Sequence, residues 1–204
     1  MEAIGREDID AISPYQDQIE AIILPKTQSF DFLATLAPMI DFSNKLVPLI
    51  ETPRAIDTVT QIAAFKDVVG LFFGAADSSA SLGCKLAWEP LLYARQKVVL
   101  AAAMYNLFTI DAPFFYMDDK EGLKKEAEAV KNLGFTGKAA IHPDQIDFIN
   151  ESFAPTSEEI AEGKKVLEEY QKSGGGAVKI DGQMVDEPIA EAMRLRLELG
   201  EDDD

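Results

Sequence analysis

The fold is decided by two apolar runs, Leu46-Val-Pro-Leu-Ile-Glu51-Thr-Pro-Arg54 and Val69-Gly-Leu-Phe-Phe-Gly-Ala-Ala-Asp77, each of which reaches a carboxylate. Continuous apolar runs bounded by turn residues are typical of parallel strands that are covered on both faces. In a parallel α/β barrel the carboxyl ends of the strands converge on the face that carries the chemistry. We therefore expect Glu51 and Asp77 to reach the same face.

Two carboxylates from neighbouring strands suit Mg²⁺, which typically takes one or two protein carboxylates and leaves its other positions to water and substrate. A second interpretation stays open from the spacing alone. A carboxylate just before a helix stabilises that helix through the unpaired N–H groups and the dipole at its start. Glu51 and Asp77 are therefore either metal ligands or helix-capping acids.

The rest of the chain alternates between strand-like and helix-like segments. The predicted strands are Glu20–Pro25, Leu46–Glu51, Val68–Gly74, Leu107–Asp111 and Lys138–His142. The predicted helices are Phe30–Pro38, Arg54–Phe65, Pro90–Met104 and Lys120–Leu133, the last opened by a capping box from Asp118 to Glu121. This alternation is the signature of βαβ units. No Gly-x-Gly-x-x-Gly follows a predicted strand, which disfavours a dinucleotide-binding Rossmann domain.

The fold class that follows is α/β, with a TIM-type (β/α) barrel that is incomplete. A complete barrel usually has eight strands and about 250 residues, whereas this chain has 204 residues and five predicted strands. We expect a partial barrel over residues 1–150 in which the N-terminal strands are missing. Residues 151–204 are expected to form a C-terminal helical flap with a capping box at Thr156–Glu159, a final helix Ile189–Leu199 and an acidic tail.

Composition restricts the partners and the compartment. The chain has 36 acidic and 19 basic residues, a net charge of −17, which argues against nucleic acid and anionic membrane surfaces. A single cysteine, Cys84, fits a reducing compartment. We find no apolar run of about 18 residues, and the polar N-terminus does not resemble a signal peptide. We expect a cytoplasmic protein without a membrane partner.

Six short motifs occur in a fixed order between about Asp8 and Leu199. They are Ile22-Ile-Leu-Pro-Lys26, Pro48-Leu-Ile-Glu51-Thr52, Phe73-Gly-Ala-Ala-Asp77, Ala140-Ile-His-Pro143 with Gln145-Ile146, Gly175-Gly-Ala-Val178, and Asp181-Gly-Gln-Met-Val-Asp186-Glu-Pro188. In this order and spacing the sequence resembles the citrate lyase β-subunit-like branch of the HpcH/HpaI aldolase family.

The resemblance implies a role for each site residue. Glu51 and Asp77 match the family's Mg²⁺ ligands. The backbone of Gly74, Ala75 and Ala76 would hold the carboxylate of an α-keto acid. His142 and Pro143 match a wall near the thioester cofactor. Asp186 matches an acid/base that reaches into the active site of a neighbouring subunit.

The resemblance also implies an activity and partners. Such proteins are Mg²⁺-dependent C–C lyases or Claisen-type condensing enzymes. They act on an acyl-CoA, or acyl-carrier, thioester and an α-keto acid such as oxaloacetate or glyoxylate. The expected assembly is a homo-oligomer, a trimer or a hexamer.

Two departures from the family pattern support an alternative. Ala76 stands where relatives usually have Glu, and the first three barrel strands have no counterpart here. The alternative is a non-catalytic, shortened relative that acts as a binding or assembly subunit. An arc of five strands leaves two open sheet edges, so we expect these edges to pair with another copy or with a separate chain that supplies the first strands.

Four residues have a plain structural interpretation beside the functional one. His142 is either a base or a hydrogen-bonding residue that shapes a loop, and Lys26 is either a Schiff-base amine or a solvated turn residue. For Cys84, buried filler is favoured over a nucleophile, because no His partner is identified. Asp186 is either the flap catalyst or a turn residue before the last helix.

Overall fold

A computed structural model describes residues 3–39 and 46–198. The chain divides into two compact units between Ile149 and Asn150. Residues 40–45 and the predicted acidic tail lie outside the described residues, as does Leu199 of the predicted final helix. Within the described part, no helix combines the length and the apolar character needed to cross a membrane.

The first unit contains a five-stranded parallel sheet in the order β1-β2-β3-β4-β5. Its strands are β1 (Ile22–Leu24), β2 (Leu46–Ile50), β3 (Gly70–Phe73), β4 (Phe108–Asp111) and β5 (Gly137–Lys138). The helices of this unit are α1 (Ala3–Ile12), α2 (Phe30–Leu36), α3 (Pro53–Asp57), α4 (Val59–Ala63), α5 (Ala75–Leu82), α6 (Trp88–Ala103) and α7 (Lys120–Leu133). The predicted α/β fold and the five parallel strands are confirmed, and the described strands do not close a barrel.

Strands β2 and β3 form the centre of this unit. Their partners in register are Leu49 with Phe72 and Ile50 with Phe73. Ile50, Leu71 and Phe73 are completely buried, as the continuous apolar runs predict. These two strands therefore hold the residues that follow them, at their carboxyl ends, in fixed positions.

Several predicted elements were wrong in detail, and one helix was not predicted. The fifth strand ends at Lys138, so the residues leading to His142 are not a strand. The start of α7 is capped by Asp119, whose side chain accepts from the N–H of Gly122, and not by Asp118. The predicted helix Arg54–Phe65 is two short helices that meet at Thr58. Helix α5 was not predicted, because its Ala- and Ser-rich sequence lacks an apolar period.

The second unit consists of a helix, a hairpin and a helix. The chain passes into it through α8 (Ile146–Phe153) and continues as α9 (Ser157–Lys172), β6 (Val178–Ile180), β7 (Gln183–Val185) and α10 (Glu187–Glu198). The predicted capping box at the start of α9 is present, with Thr156 and Glu159 each accepting from the other's backbone N–H. A small core joins these elements around Val166, Tyr170, Ile180, Val185 and Ala190.

Candidate functional site

Glu51 directly follows β2 and is only 3% exposed. Its Oε1 accepts a hydrogen bond from the backbone N–H of Lys26 at 2.7 Å. The cap of the following helix α3 is Thr52, whose side chain accepts from the N–H of Ala55. Glu51 is therefore not the capping acid of α3, and its carboxylate is turned to the segment that follows β1.

Asp77 lies in the first turn of α5, where its negative charge interacts favourably with the helix dipole. Its carboxylate is about half exposed. The turn before it brings Gly74 against Glu51: a Cβ built on Gly74 would lie 2.6 Å from the Cβ of Glu51. The absence of a side chain at Gly74 thus allows the turn after β3 to approach the end of β2.

Lys26 joins the two carboxylates. Its Nζ lies 2.6 Å from Asp77 Oδ1 and 3.8 Å from Glu51 Oε1. The hydrogen bond to Asp77, with the charge of Glu51 as the second cause, raises the pKa of Lys26. The backbone of Lys26 has a φ of +55°, in the left-handed region. Lys26 is thus an exposed turn residue, as one of its two interpretations predicts, and its ammonium is in addition paired with Asp77.

The donor set fits Mg²⁺. Both carboxylates already face a single positive charge, the ammonium of Lys26, which marks a point where a cation is favourable. No group of three or more His, Cys, Asp or Glu side chains with metal-binding geometry occurs among the described residues. A site with two carboxylates matches an ion that takes its remaining ligands from water and substrate.

The start of α5 offers backbone N–H groups next to these carboxylates. No side chain caps this end of the helix, and the first N–H groups of a helix have no partner within it. Gly74 N–H donates to Ile50 O at 2.9 Å, so it is already used by the sheet. Of the three predicted carboxylate-binding positions, Gly74 therefore has its N–H already engaged, whereas Ala75 and Ala76 lie in the first turn of α5.

His142 shapes a loop and also lines a cleft. Its Nδ1 accepts from the N–H of Asp144 at 3.2 Å and so caps the 3₁₀ turn Pro143–Gln145. The cleft has a volume of about 240 Å³ and is bounded by the segment before α7 and by this turn; besides His142 its walls include Tyr116, Lys120 and Gln145. Pro143 is not among the residues that line it.

Asp186 caps helix α10 in the second unit. Its Oδ1 accepts from the N–H of Ile189 at 3.3 Å, and its carbonyl oxygen accepts from the N–H of Ala190. Its side chain is partly exposed. The structural role of Asp186 is thus observed, and its role as an acid/base remains a prediction.

A buried charge network at the end of β4 was missed by the sequence analysis. Asp111 is completely buried and accepts from Arg95 Nε at 2.8 Å and from Lys138 Nζ at 2.9 Å. Lys138 also donates to Glu126 at 2.7 Å, and the Arg95 guanidinium lies over the rings of Phe73 and Trp88. The network ties β4 and β5 to helices α6 and α7. No short motif reveals it, because its members are far apart in sequence.

A family model and individual relatives place this chain in the same protein family. The model of the HpcH/HpaI aldolase/citrate lyase family matches residues 3–143. The chain is 31% identical to citrate lyase subunit beta of Haemophilus influenzae over 206 residues, which covers 93% of this chain and 71% of the relative. It is 30% identical to the mitochondrial citramalyl-CoA lyase of Homo sapiens, with 91% of this chain and 62% of the relative covered.

A solved structure shows the same fold. The crystal structure of CitE from Mycobacterium tuberculosis in complex with magnesium, acetoacetate and coenzyme A has a TM-score of 0.82 and 30% identity, and the match covers 96% of this chain and 73% of that one. The likeness confirms the predicted α/β fold, and the predicted cofactors, Mg²⁺ and CoA, are groups bound in that relative.

The chain spans between 62% and 71% of the length of the two named lyases. The family-model match alone covers most of the first unit, including both carboxylates of the candidate site. The resemblance inferred from six short motifs is confirmed by these independent matches. The chain belongs to the HpcH/HpaI aldolase/citrate lyase family.

Proposed function

We propose that this protein is an Mg²⁺-dependent C–C lyase or Claisen-type condensing enzyme. Its substrates would be an acyl-CoA, or acyl-carrier, thioester and an α-keto acid such as oxaloacetate or glyoxylate. The proposal rests on one observation. At the carboxyl ends of adjacent strands, the carboxylates of Glu51 and Asp77 converge on the ammonium of Lys26. Lyases named in the comparisons support the reaction class.

The residues of the chain would divide the work as follows. Glu51 and Asp77 would hold Mg²⁺, which supplies a Lewis acid for the keto oxygen when bound. The N–H groups of Ala75 and Ala76, at the start of α5, would bind the carboxylate of the keto acid. With its carboxylate bound there, the keto acid would present its keto group in one fixed orientation.

Asp186 would move one proton. In cleavage, the substrate hydroxyl gives its proton to solvent water, the C–C bond breaks, and the hydroxyl-bearing carbon becomes the carbonyl carbon of the keto acid. The electron pair of the broken bond forms the thioester enolate, which takes a proton from Asp186, and Asp186 is protonated again from solvent. In condensation these events run in reverse, with Asp186 as the base. This role requires a neighbouring subunit, so the proposal includes a homo-oligomer.

A turnover assay tests the proposal. Purified protein, Mg²⁺ and acetyl-CoA are incubated with oxaloacetate, glyoxylate or pyruvate, and new hydroxyacyl-CoA products are followed by mass spectrometry. The wild type should form one product, and Asp77→Asn should lower its rate by at least about a hundredfold. Asp57→Asn is the matched control, because Asp57 is an exposed surface carboxylate paired only loosely with Lys97. Equal rates in wild type and Asp77→Asn contradict the proposal.

One observation favours a second candidate, a non-catalytic binding or assembly subunit. The ammonium of Lys26 offsets one of the two negative charges of the Glu51–Asp77 pair. In addition, β1 and β5 are the edges of the sheet, and Ile23 in β1 is 48% exposed. We propose that another copy or a separate chain pairs with such an edge in either case. If the second candidate is correct, the protein binds CoA but forms no hydroxyacyl-CoA product in the turnover assay.

A further inference from the structure

We propose that Lys26 is a built-in cation that holds the Glu51–Asp77 pair in place and must leave it before a divalent ion can bind. This inference rests on the proposed metal site. Lys26 is then the residue that opposes the metal, and its replacement by an uncharged residue strengthens metal binding.

The contacts of Lys26 set it apart from an ordinary surface lysine. Its backbone N–H holds Glu51 Oε1 at 2.7 Å, while its Nζ lies 2.6 Å from Asp77 Oδ1. One residue thus fixes both carboxylates, through the main chain on one side and through the ammonium on the other. The turn that makes this possible depends on the left-handed backbone of Lys26.

The same contacts make Lys26 a competitor for the site. Mg²⁺ binds its oxygen ligands at about 2.0–2.1 Å, so an ion held by both carboxylates would lie within a few ångströms of Nζ in its present position. Two positive charges at that separation repel each other strongly. Nζ therefore has to move when the ion enters.

Lys26 is able to move. Its side chain is 64% exposed, and among residues 3–39 and 46–198 its ammonium pairs with these two carboxylates alone. Its backbone hydrogen bond to Glu51 does not depend on the position of Nζ. Displacement of the ammonium would therefore open the site to the metal while the backbone keeps Glu51 in place.

Metal affinity measured without substrate tests the inference. Mn²⁺ is titrated into the metal-free full chain, and free Mn²⁺ is quantified by electron paramagnetic resonance. Lys26→Met should bind Mn²⁺ about three- to tenfold more tightly than the wild type, since it removes the competing charge. Lys26→Arg, which keeps the charge, should remain close to the wild type.

Lys165→Met is the matched control. Lys165 forms an ion pair of the same length, 2.6 Å, with Asp181 in the second unit. This substitution should leave Mn²⁺ affinity unchanged. Equal or weaker binding by Lys26→Met than by the wild type overturns the inference and leaves the metal site standing. Absence of binding in both the wild type and Lys26→Met overturns the inference and the metal site together.

Discussion

Gly74 lies so close to Glu51 that a Cβ at position 74 would be 2.6 Å from the Cβ of Glu51 and 3.2 Å from its Oε2. The turn after β3 therefore fits against the end of β2 only without a side chain. Because position 74 has no Cβ, the two segments that carry the candidate metal ligands can approach each other this closely. The finding connects a single glycine to the geometry of the site.

Replacement of Gly74 by Ala should damage the site. The new methyl group must push the buried Glu51 aside, which we expect to cost about 1–3 kcal/mol of unfolding free energy and to weaken Mg²⁺ binding. Chemical denaturation and metal titration measure the two effects. Gly137→Ala is the matched control, because a Cβ there meets nothing within 4 Å. A Gly74→Ala protein as stable as Gly137→Ala would show that the turn after β3 tolerates a side chain at position 74, which contradicts this prediction.

Removal of the charge on Asp111 should be one of the most destabilising single changes in the first unit. In Asp111→Asn, Arg95 and Lys138 keep their charges in a buried place but lose their shared carboxylate. Breaking a buried pair in this way typically costs about 3–5 kcal/mol. Denaturant unfolding should show this loss, whereas Asp57→Asn at the surface should change stability by less than about 1 kcal/mol. Similar stabilities for the two variants would show that the network does not hold β4 and β5.

The sequence predicts the proximity of Glu51 and Asp77 for a physical reason. Continuous apolar runs predict adjacent parallel strands, and the carboxyl ends of such strands meet at one edge. The position of Lys26 could not be predicted in the same way, because a left-handed residue in a turn leaves no pattern in the apolar residues. Asp111 was also missed as a buried charge, since its partners Arg95 and Lys138 lie 16 and 27 residues away.

The second unit should lose stability in acid through Glu187. The hydrogen bond from Arg194 Nη1 to Glu187 Oε1, followed by the nearby hydroxyl of Tyr170, lowers the pKa of Glu187 below its usual 4.5. A carboxyl group with a lowered pKa stabilises the fold above its unfolded value, and this contribution disappears as the pH falls through the folded value. Thermal unfolding followed by circular dichroism from pH 7 to pH 3 measures the effect.

Glu187→Gln isolates this contribution from the many other carboxylates of the chain. The variant should be less stable than the wild type at pH 7, and the difference should shrink as the pH falls below about 4.5. Lys165 and Asp181 form a separate exposed pair in the same unit, so Asp181→Asn serves as the control for a general loss of charge. A pH-independent difference between Glu187→Gln and the wild type would contradict the assignment.

Calorimetric titration of Mg²⁺ into the full chain in the presence of oxaloacetate tests the metal site itself. We expect saturable binding of about one ion per chain, and loss of that binding in both Glu51→Gln and Asp77→Asn, while Asp57→Asn binds like the wild type. Absence of saturable binding in the wild type, or unchanged binding in both carboxylate variants, would contradict the claim that Glu51 and Asp77 form the metal site.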